Sequence, residues 1–212
     1  MQLGIRLHDI EKNTLERRLE IAREQGFACG HLALSKVISE YSVADSALTP
    51  GFAMYLKRLF QKNELDIAVL GCYLNLGNPN KETLKKIQDK YLAHIRFASL
   101  LGVGVVGTET GAVNEKYATE EANFSEEALE IFIENLRPIV EYAEKMGMIL
   151  AIEPVCRHIV CSPKRARKVL DTIASPNLQI IFDPVNLLEI WNYEDRESII
   201  HEAIELLGKD IA

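Results

Sequence analysis

No run of about eighteen uncharged apolar residues occurs in this sequence, so no segment of it reads as a membrane-spanning helix. The opening residues Met1-Gln2-Leu3-Gly4-Ile5-Arg6 lack the basic flank, apolar stretch and small-residue cleavage site of a secretory leader, and a cytoplasmic location is expected. Cysteine is sparse. Cys29, Cys72, Cys156 and Cys161 stand apart with no C-x-x-C pair, in a chain long enough to do without covalent staples, and they read as thiols. The spacing of Cys156 and Cys161 also misses the usual zinc-ligand pattern. Base is in deficit, with 24 basic against 31 acidic side chains and a net charge of −7, which argues against a binder of nucleic acid or of an anionic membrane. Low-complexity tracts are missing too, and 48% apolar residues are enough to bury a full core.

What is present is an alternation. Short β-rich apolar runs at Leu3 to His8, Ala28 to Leu34, Leu65 to Leu74, Val103 to Thr108, Met148 to Glu153 and Leu178 to Asp183 are separated by segments of helical period, such as Leu15, Leu19 and Ala22. Thr49-Pro50, Ser162-Pro163 and Ser125 supply N-caps. Gly26, Gly102, Gly147 and Gly208 follow helical patterns where a left-handed residue ends a helix. Strict strand–helix alternation requires parallel strands and right-handed crossovers, hence an α/β fold. A doubly wound sheet would carry a glycine-rich phosphate loop after its first strand; Leu7-His8-Asp9-Ile10 stands there instead, which favours a (β/α)8 barrel.

Strand starts recur about every 35 residues, so eight units would need about 276 residues. The 212 residues are expected to hold six βα units of a single barrel domain, residues 1–212, with a seventh strand starting at Asp210-Ile211-Ala212 and strands seven and eight outside it. A barrel left open there would present bare strand edges. Either a homodimer or swapped assembly covers them or the natural chain is longer, and the second is the favoured expectation.

Strand parity selects the candidate groups. In a barrel alternate residues face the helices, and functional groups collect at the C-terminal strand ends. With Leu150 and Ile152 facing helices, Glu153 turns inward; with Ile180 and Phe182 facing out, so does Asp183. Each acid closes an apolar run and precedes a proline. A buried carboxylate is costly unless compensated, by a divalent cation or by a salt bridge to Arg6 or Arg157. His8 at the mouth of the first strand and His31 in the second are candidate substrate contacts by the same parity; His94 and His201, on helices, read as structural. Lys164-Arg165-Ala166-Arg167-Lys168 at a helix start invites a phosphate, but so many charges cover most of the helix circumference and read as a solvated face.

Leu7-His8-Asp9, Gly107-Thr108-Glu109-Thr110-Gly111, Ile152-Glu153-Pro154 and Phe182-Asp183-Pro184-Val185-Asn186-Leu187 together resemble the xylose-isomerase-like barrel superfamily, in its sugar phosphate isomerase/epimerase and second apurinic-endonuclease-type branches. The resemblance implies one divalent ion, manganese foremost with magnesium, cobalt or zinc as alternatives, held by a glutamate, an aspartate, a histidine and a glutamate of strands five to eight. Only the first two carry over, to Glu153 and Asp183, so the ion is expected to be weakly held or unbound in this stretch of chain. The implied chemistry is proton abstraction beside a metal-polarised carbonyl of a sugar or sugar phosphate, with Glu153 as catalytic base. Asn186, Glu109 and Arg157 join His8 and His31 as expected substrate contacts. A non-catalytic sugar-binding or regulatory barrel is the alternative. An endonuclease is disfavoured, because asparagine replaces the expected histidine at 186 and the third strand ends Cys72-Tyr73-Leu74-Asn75.

Overall fold

The computed structural model describes residues 2–212. Its strands are β1 (Gly4–Arg6), β2 (Cys29–Leu32), β3 (Asp66–Gly71), β4 (Val105–Glu109), β5 (Ile149–Glu153) and β6 (Leu178–Ile180). Between and after them lie α1 (Leu15–Glu24), α2 (Leu34–Val37), α3 (Pro50–Lys62), α4 (Lys81–Leu101), α5 (Glu126–Met146), α6 (Pro163–Ile173) and α7 (Arg196–Leu207). The sheet order follows the chain order from β1 to β6, and the pairs β1–β2, β2–β3 and β5–β6 are parallel. The expected α/β class with six βα units is the observed one. A seventh strand begins as well: Ile211 bridges Ile180 in parallel, and the Ala212 N–H donates to the Ile180 carbonyl at 2.9 Å. Asp210 belongs instead to a 3-10 turn, where its carboxylate meets Arg167.

All three N-caps form, with the hydroxyls of Thr49, Ser125 and Ser162 accepting from the N–H groups of Phe52, Ala128 and Arg165 at 3.2, 3.1 and 3.3 Å. Gly147 ends α5 in the left-handed conformation (φ 64) and lets the chain reverse directly into β5. Gly208 departs from expectation, at φ −54. The chain after it continues in a right-handed turn through Asp210, so no reversal is needed. Conversely Ala174, a residue with a Cβ, takes the left-handed position after α6 at φ 54.

Contacts divide the chain into two compact units. The first runs up to Cys72 and adds Leu92–Val106. Its core is Leu7, Leu15, Leu19, Leu32, Leu56, Phe60, Leu70 and Ile95, with Phe52 stacked on Phe97 at 5.4 Å. Buried Arg18 donates to the carbonyls of Leu7 (2.6 Å) and Ile10 (2.8 Å), fixing α1 to the loop after β1. The second unit is Tyr73–Tyr91 with Gly107–Ala212, packed on Tyr91, Leu129, Phe132, Leu136, Leu150, Ile152 and Ile180. Among the described residues no helix is long and apolar enough to cross a membrane.

The basic run of α6 is solvated in part: Lys164 and Lys168 are exposed, while Arg165 and Arg167 are partly buried. Arg165 donates to the carbonyls of Ser125 (2.7 Å), Ile159 (2.8 Å) and Phe124 (3.0 Å), and Lys164 pairs with Glu202 at 3.0 Å. Lys168 reaches Glu126, and Arg167 bridges Asp171 and Asp210. Most of these contacts tie α6 to other segments of the second unit.

Candidate functional site

In the second unit the loops that follow β4 and β5 are held by asparagines. Asn75 accepts from Gly77 N (3.1 Å) and Ala112 N (2.9 Å) and donates to the Asn114 carbonyl (2.8 Å). Gly111, at φ 80, lies so close that a Cβ on it would stand 2.6 Å from the Asn75 oxygen. Fully buried Asn123 accepts from Val113 N (3.0 Å) and donates to the carbonyls of Ala118 (3.2 Å) and Arg157 (3.3 Å), binding the two loops to each other. The Ile159 N–H closes the frame on the Gly111 carbonyl at 3.0 Å. Each buried amide replaces the water its backbone partners lost.

On this frame stand the acids. Glu153 ends β5 and is 8% exposed. Its Oε1 accepts from the Asn186 amide at 2.5 Å, while the Asn186 carbonyl takes the Cys156 N–H at 2.8 Å, joining the loops after β5 and β6. Asp183 lies three positions past the end of β6, half-buried, and its Oδ1 accepts from Val185 N at 2.9 Å in a local turn. Arg157 is directed to Glu189 at 2.6 Å. Arg6, in the first unit, pairs with Asp9 at 2.7 Å. The Oε2 of Glu109, at the end of β4, accepts from the Tyr117 hydroxyl at 3.2 Å.

Two residues here have no counterpart among the sequence candidates. Tyr117, held in the left-handed region at φ 56, stacks on His158 with ring centroids 5.0 Å apart. The His158 Nδ1 is buried without a hydrogen-bond partner among the described residues, 3.8 Å from the Glu109 carboxylate. Burial above all, then Glu109, and also Glu153, push the Tyr117 phenol far up, so it is a permanent donor. Burial holds His158 below its usual value, Arg157 acting the same way and Glu109 opposing. A buried carboxylate, a neutral imidazole and a phenol thus share one rim. The signal that could have found His158 is its position in the loop of Glu153, five residues on; for Tyr117 the sequence offers none.

The other candidates lie in the first unit. His8 and His31 make an edge-to-face pair at 5.6 Å. Burial lowers His31 to about 4, with His8, Lys36 and Arg6 adding to it. His8 is lowered by burial and then by Lys36, Arg6 and Arg18, against Asp9. His94 is buried on α4, and exposed His201 sits 3.2 Å from Glu205 on α7.

Glu153 and Asp183 are hard oxygen donors of the kind a divalent ion takes. Among the described residues no three histidine, cysteine, aspartate or glutamate side chains converge into a metal-holding group. Glu153 and Asp183 accept from the Asn186 amide and from Val185 N. Among the described residues no cysteine forms a disulfide.

Residues 19–211 match the family model described as xylose isomerase-like TIM barrel. No protein of curated function matches the sequence. Similar solved structures include the IolI protein with a zinc atom, at 20% identity and a TM-score of 0.76 over 100% of this chain and 70% of that one. D-psicose 3-epimerase with D-tagatose from Clostridium cellulolyticum H10 is 16% identical, with a TM-score of 0.71 over 98% of this chain and 71% of that one. The probable 3-DHS dehydratase AsbF from Bacillus anthracis is 16% identical, with a TM-score of 0.73 over 100% and 71%. At these identities the common property is the fold.

Proposed function

The chain belongs to the xylose isomerase-like TIM barrel family, and on that footing we propose that it is a divalent-metal-dependent isomerase or epimerase of a sugar or sugar phosphate, acting in the cytoplasm. The observation that carries this reading is Glu153, a carboxylate 8% exposed at a strand end, whose Oε1 accepts from the neutral amide of Asn186. A group so placed is suited to remove a proton from carbon. Cysteines that form no disulfide among the described residues accord with a reducing compartment.

Glu153 takes the proton from the carbon beside a substrate carbonyl. Asn186 fixes the carboxylate's rotation and cannot itself carry a proton near neutrality, so its part is to position. For an isomerisation Glu153 returns the same proton to the neighbouring carbon; an epimerisation needs a second acid on the opposite face. Glu109, with the Tyr117 hydroxyl on it, and His158 form a polar wall for substrate hydroxyls, and Arg157, held by Glu189, faces solvent where an outer substrate group passes. Glu153 and Asp183 would hold the ion, manganese before magnesium, cobalt or zinc, with water and substrate oxygens among its other ligands. When bound, the ion supplies polarisation of the carbonyl and stabilises the charge that develops as the proton leaves.

Metal analysis of the natural protein, followed by exchange of solvent deuterium into a panel of ketoses and their phosphates, tests the reading. Deuterium beside the carbonyl of at least one of them, lost in Glu153→Gln, is the expected result. Sugar binding without exchange would identify a non-catalytic barrel instead.

A further inference from the structure

His158 has two different edges. Its Nδ1 is buried without a hydrogen-bond partner among the described residues, 3.8 Å from the Oε2 of Glu109, while 15% of the side chain is exposed. Because Nδ1 itself is covered, that exposure belongs to the rest of the side chain, which carries Nε2.

The ring is clamped. It stacks on Tyr117 at 5.0 Å with 28° between the planes. Asn123 holds both halves of the stack, since its amide donates to the carbonyls of Ala118 and Arg157, the residues next to Tyr117 and His158. Tyr117 is kept at φ 56, a conformation costly for a residue with a Cβ, by Asn114. The Asn114 carbonyl takes the Tyr117 N–H at 3.4 Å, and its side chain accepts from the Ala118 N–H at 2.9 Å and donates to the Ala118 carbonyl at 2.8 Å.

One oxygen serves both rings. The Glu109 Oε2 accepts from the Tyr117 hydroxyl at 3.2 Å and stands too far from Nδ1 for a hydrogen bond. Burial is the largest influence on the imidazole and Arg157 adds to it, against Glu109, so the ring is neutral near pH 7. A neutral imidazole has one N–H, and a carboxylate facing Nδ1 draws the proton there.

We propose that His158 is a specificity-determining residue of the site, with Glu109 keeping its proton on Nδ1 so that Nε2 accepts a hydrogen bond from a substrate hydroxyl. Tyr117 is the positioning residue: its ring sets the imidazole plane and its hydroxyl sets the distance of the carboxylate. The hydroxyl rests on the reading of this rim as a sugar site; the tautomer stands apart from it.

Nitrogen-15 NMR of the whole protein reads the tautomer directly. Above pH 7 the His158 signals, assigned by their loss in His158→Gln, should show a protonated Nδ1 and a bare Nε2, a preference lost in Glu109→Ala. In Tyr117→Phe the stack remains and the carboxylate is released to close on Nδ1, which should raise the titration of His158 by about one pH unit, tenfold in proton affinity. A proton on Nε2 in the wild type, or a preference unchanged in Glu109→Ala, overturns the proposal, and an unmoved titration in Tyr117→Phe overturns the part given to Tyr117. For a ketose whose deuterium exchange depends on Glu153, His158→Leu should raise KM at least about tenfold with a smaller loss in kcat, and His158→Gln, which restores a neutral acceptor, should recover part of it. An unchanged KM in His158→Leu of native circular dichroism overturns the hydroxyl contact. If no ketose exchanges, the sugar reading fails and the hydroxyl falls with it, whereas the NMR still decides the tautomer.

Discussion

The two units set their titratable groups in different surroundings. In the second, Asn75, Asn123 and Asn186 satisfy backbone and carboxylate partners with uncharged amides, and the titratable groups Glu109, Tyr117, Glu153 and His158 are set on that neutral frame. In the first, His8 and His31 stand among cations, and a buried guanidinium ties the loop after β1 to α1. The difference teaches where charge is structural and where it is available for chemistry. Removing a charge from the rim of the second unit should alter turnover and leave stability alone; adding one at His31 in the first should cost stability.

The largest effect expected is on turnover. Glu153→Gln keeps the volume and the partner Asn186 but loses basicity, so kcat should fall by about 100- to 10,000-fold with an unchanged Tm. An unchanged kcat would remove Glu153 from the chemistry and erase the contrast. Next comes acid sensitivity. His31 titrates near 4 in the folded chain against 6.5 when unfolded, so between those values the unfolded state binds more protons. The stability present above pH 6.5 is lost as the pH falls toward 4, by up to about 3 kcal/mol, and chemical denaturation at a series of pH values should show this slope flattened in His31→Asn.

Smaller again is the neutral frame. Asn123→Ala removes the partner of the Val113 N–H and of the Arg157 carbonyl, while the Ala118 carbonyl keeps the Asn114 amide, and should cost about 2 kcal/mol with no pH dependence of its own. A pH-dependent loss would show that the frame is coupled to the charges it carries. At the bottom of the scale, His201→Ala removes only an exposed pair with Glu205, and thermal unfolding should not detect it.

The strands and the helix caps were legible because they depend on neighbours in the chain: alternation for β5, and a hydroxyl three positions before the N–H it caps for Thr49, Ser125 and Ser162. Strand lengths were overestimated at both ends of the sheet. Leu7 and His8 continue the apolar pattern of β1 but lie in a turn, and Ile181 to Asp183 follow β6 outside any regular element. The ion pairs of the basic run at Lys164–Lys168 were not legible because their partners, Glu126, Glu202 and Asp210, are tens of residues away and invisible to local pattern. Glu153 and Asn186 could be singled out from motif and position, yet their direct hydrogen bond could not. Tyr117 and His158 sit in loops without periodicity, where only the fold brings one ring onto the other.

The amides that hold the loops after β4 and β5 make no contact with charge except through Asn186. Loop shape and the identity of the groups displayed are therefore separable properties. Glu109, Tyr117 and His158 can be exchanged over generations for side chains suited to another substrate while Asn75 and Asn123 keep the backbone where it is. A rim built in this way is a scaffold open to divergence, able to change specificity by point substitution without first relearning how to fold.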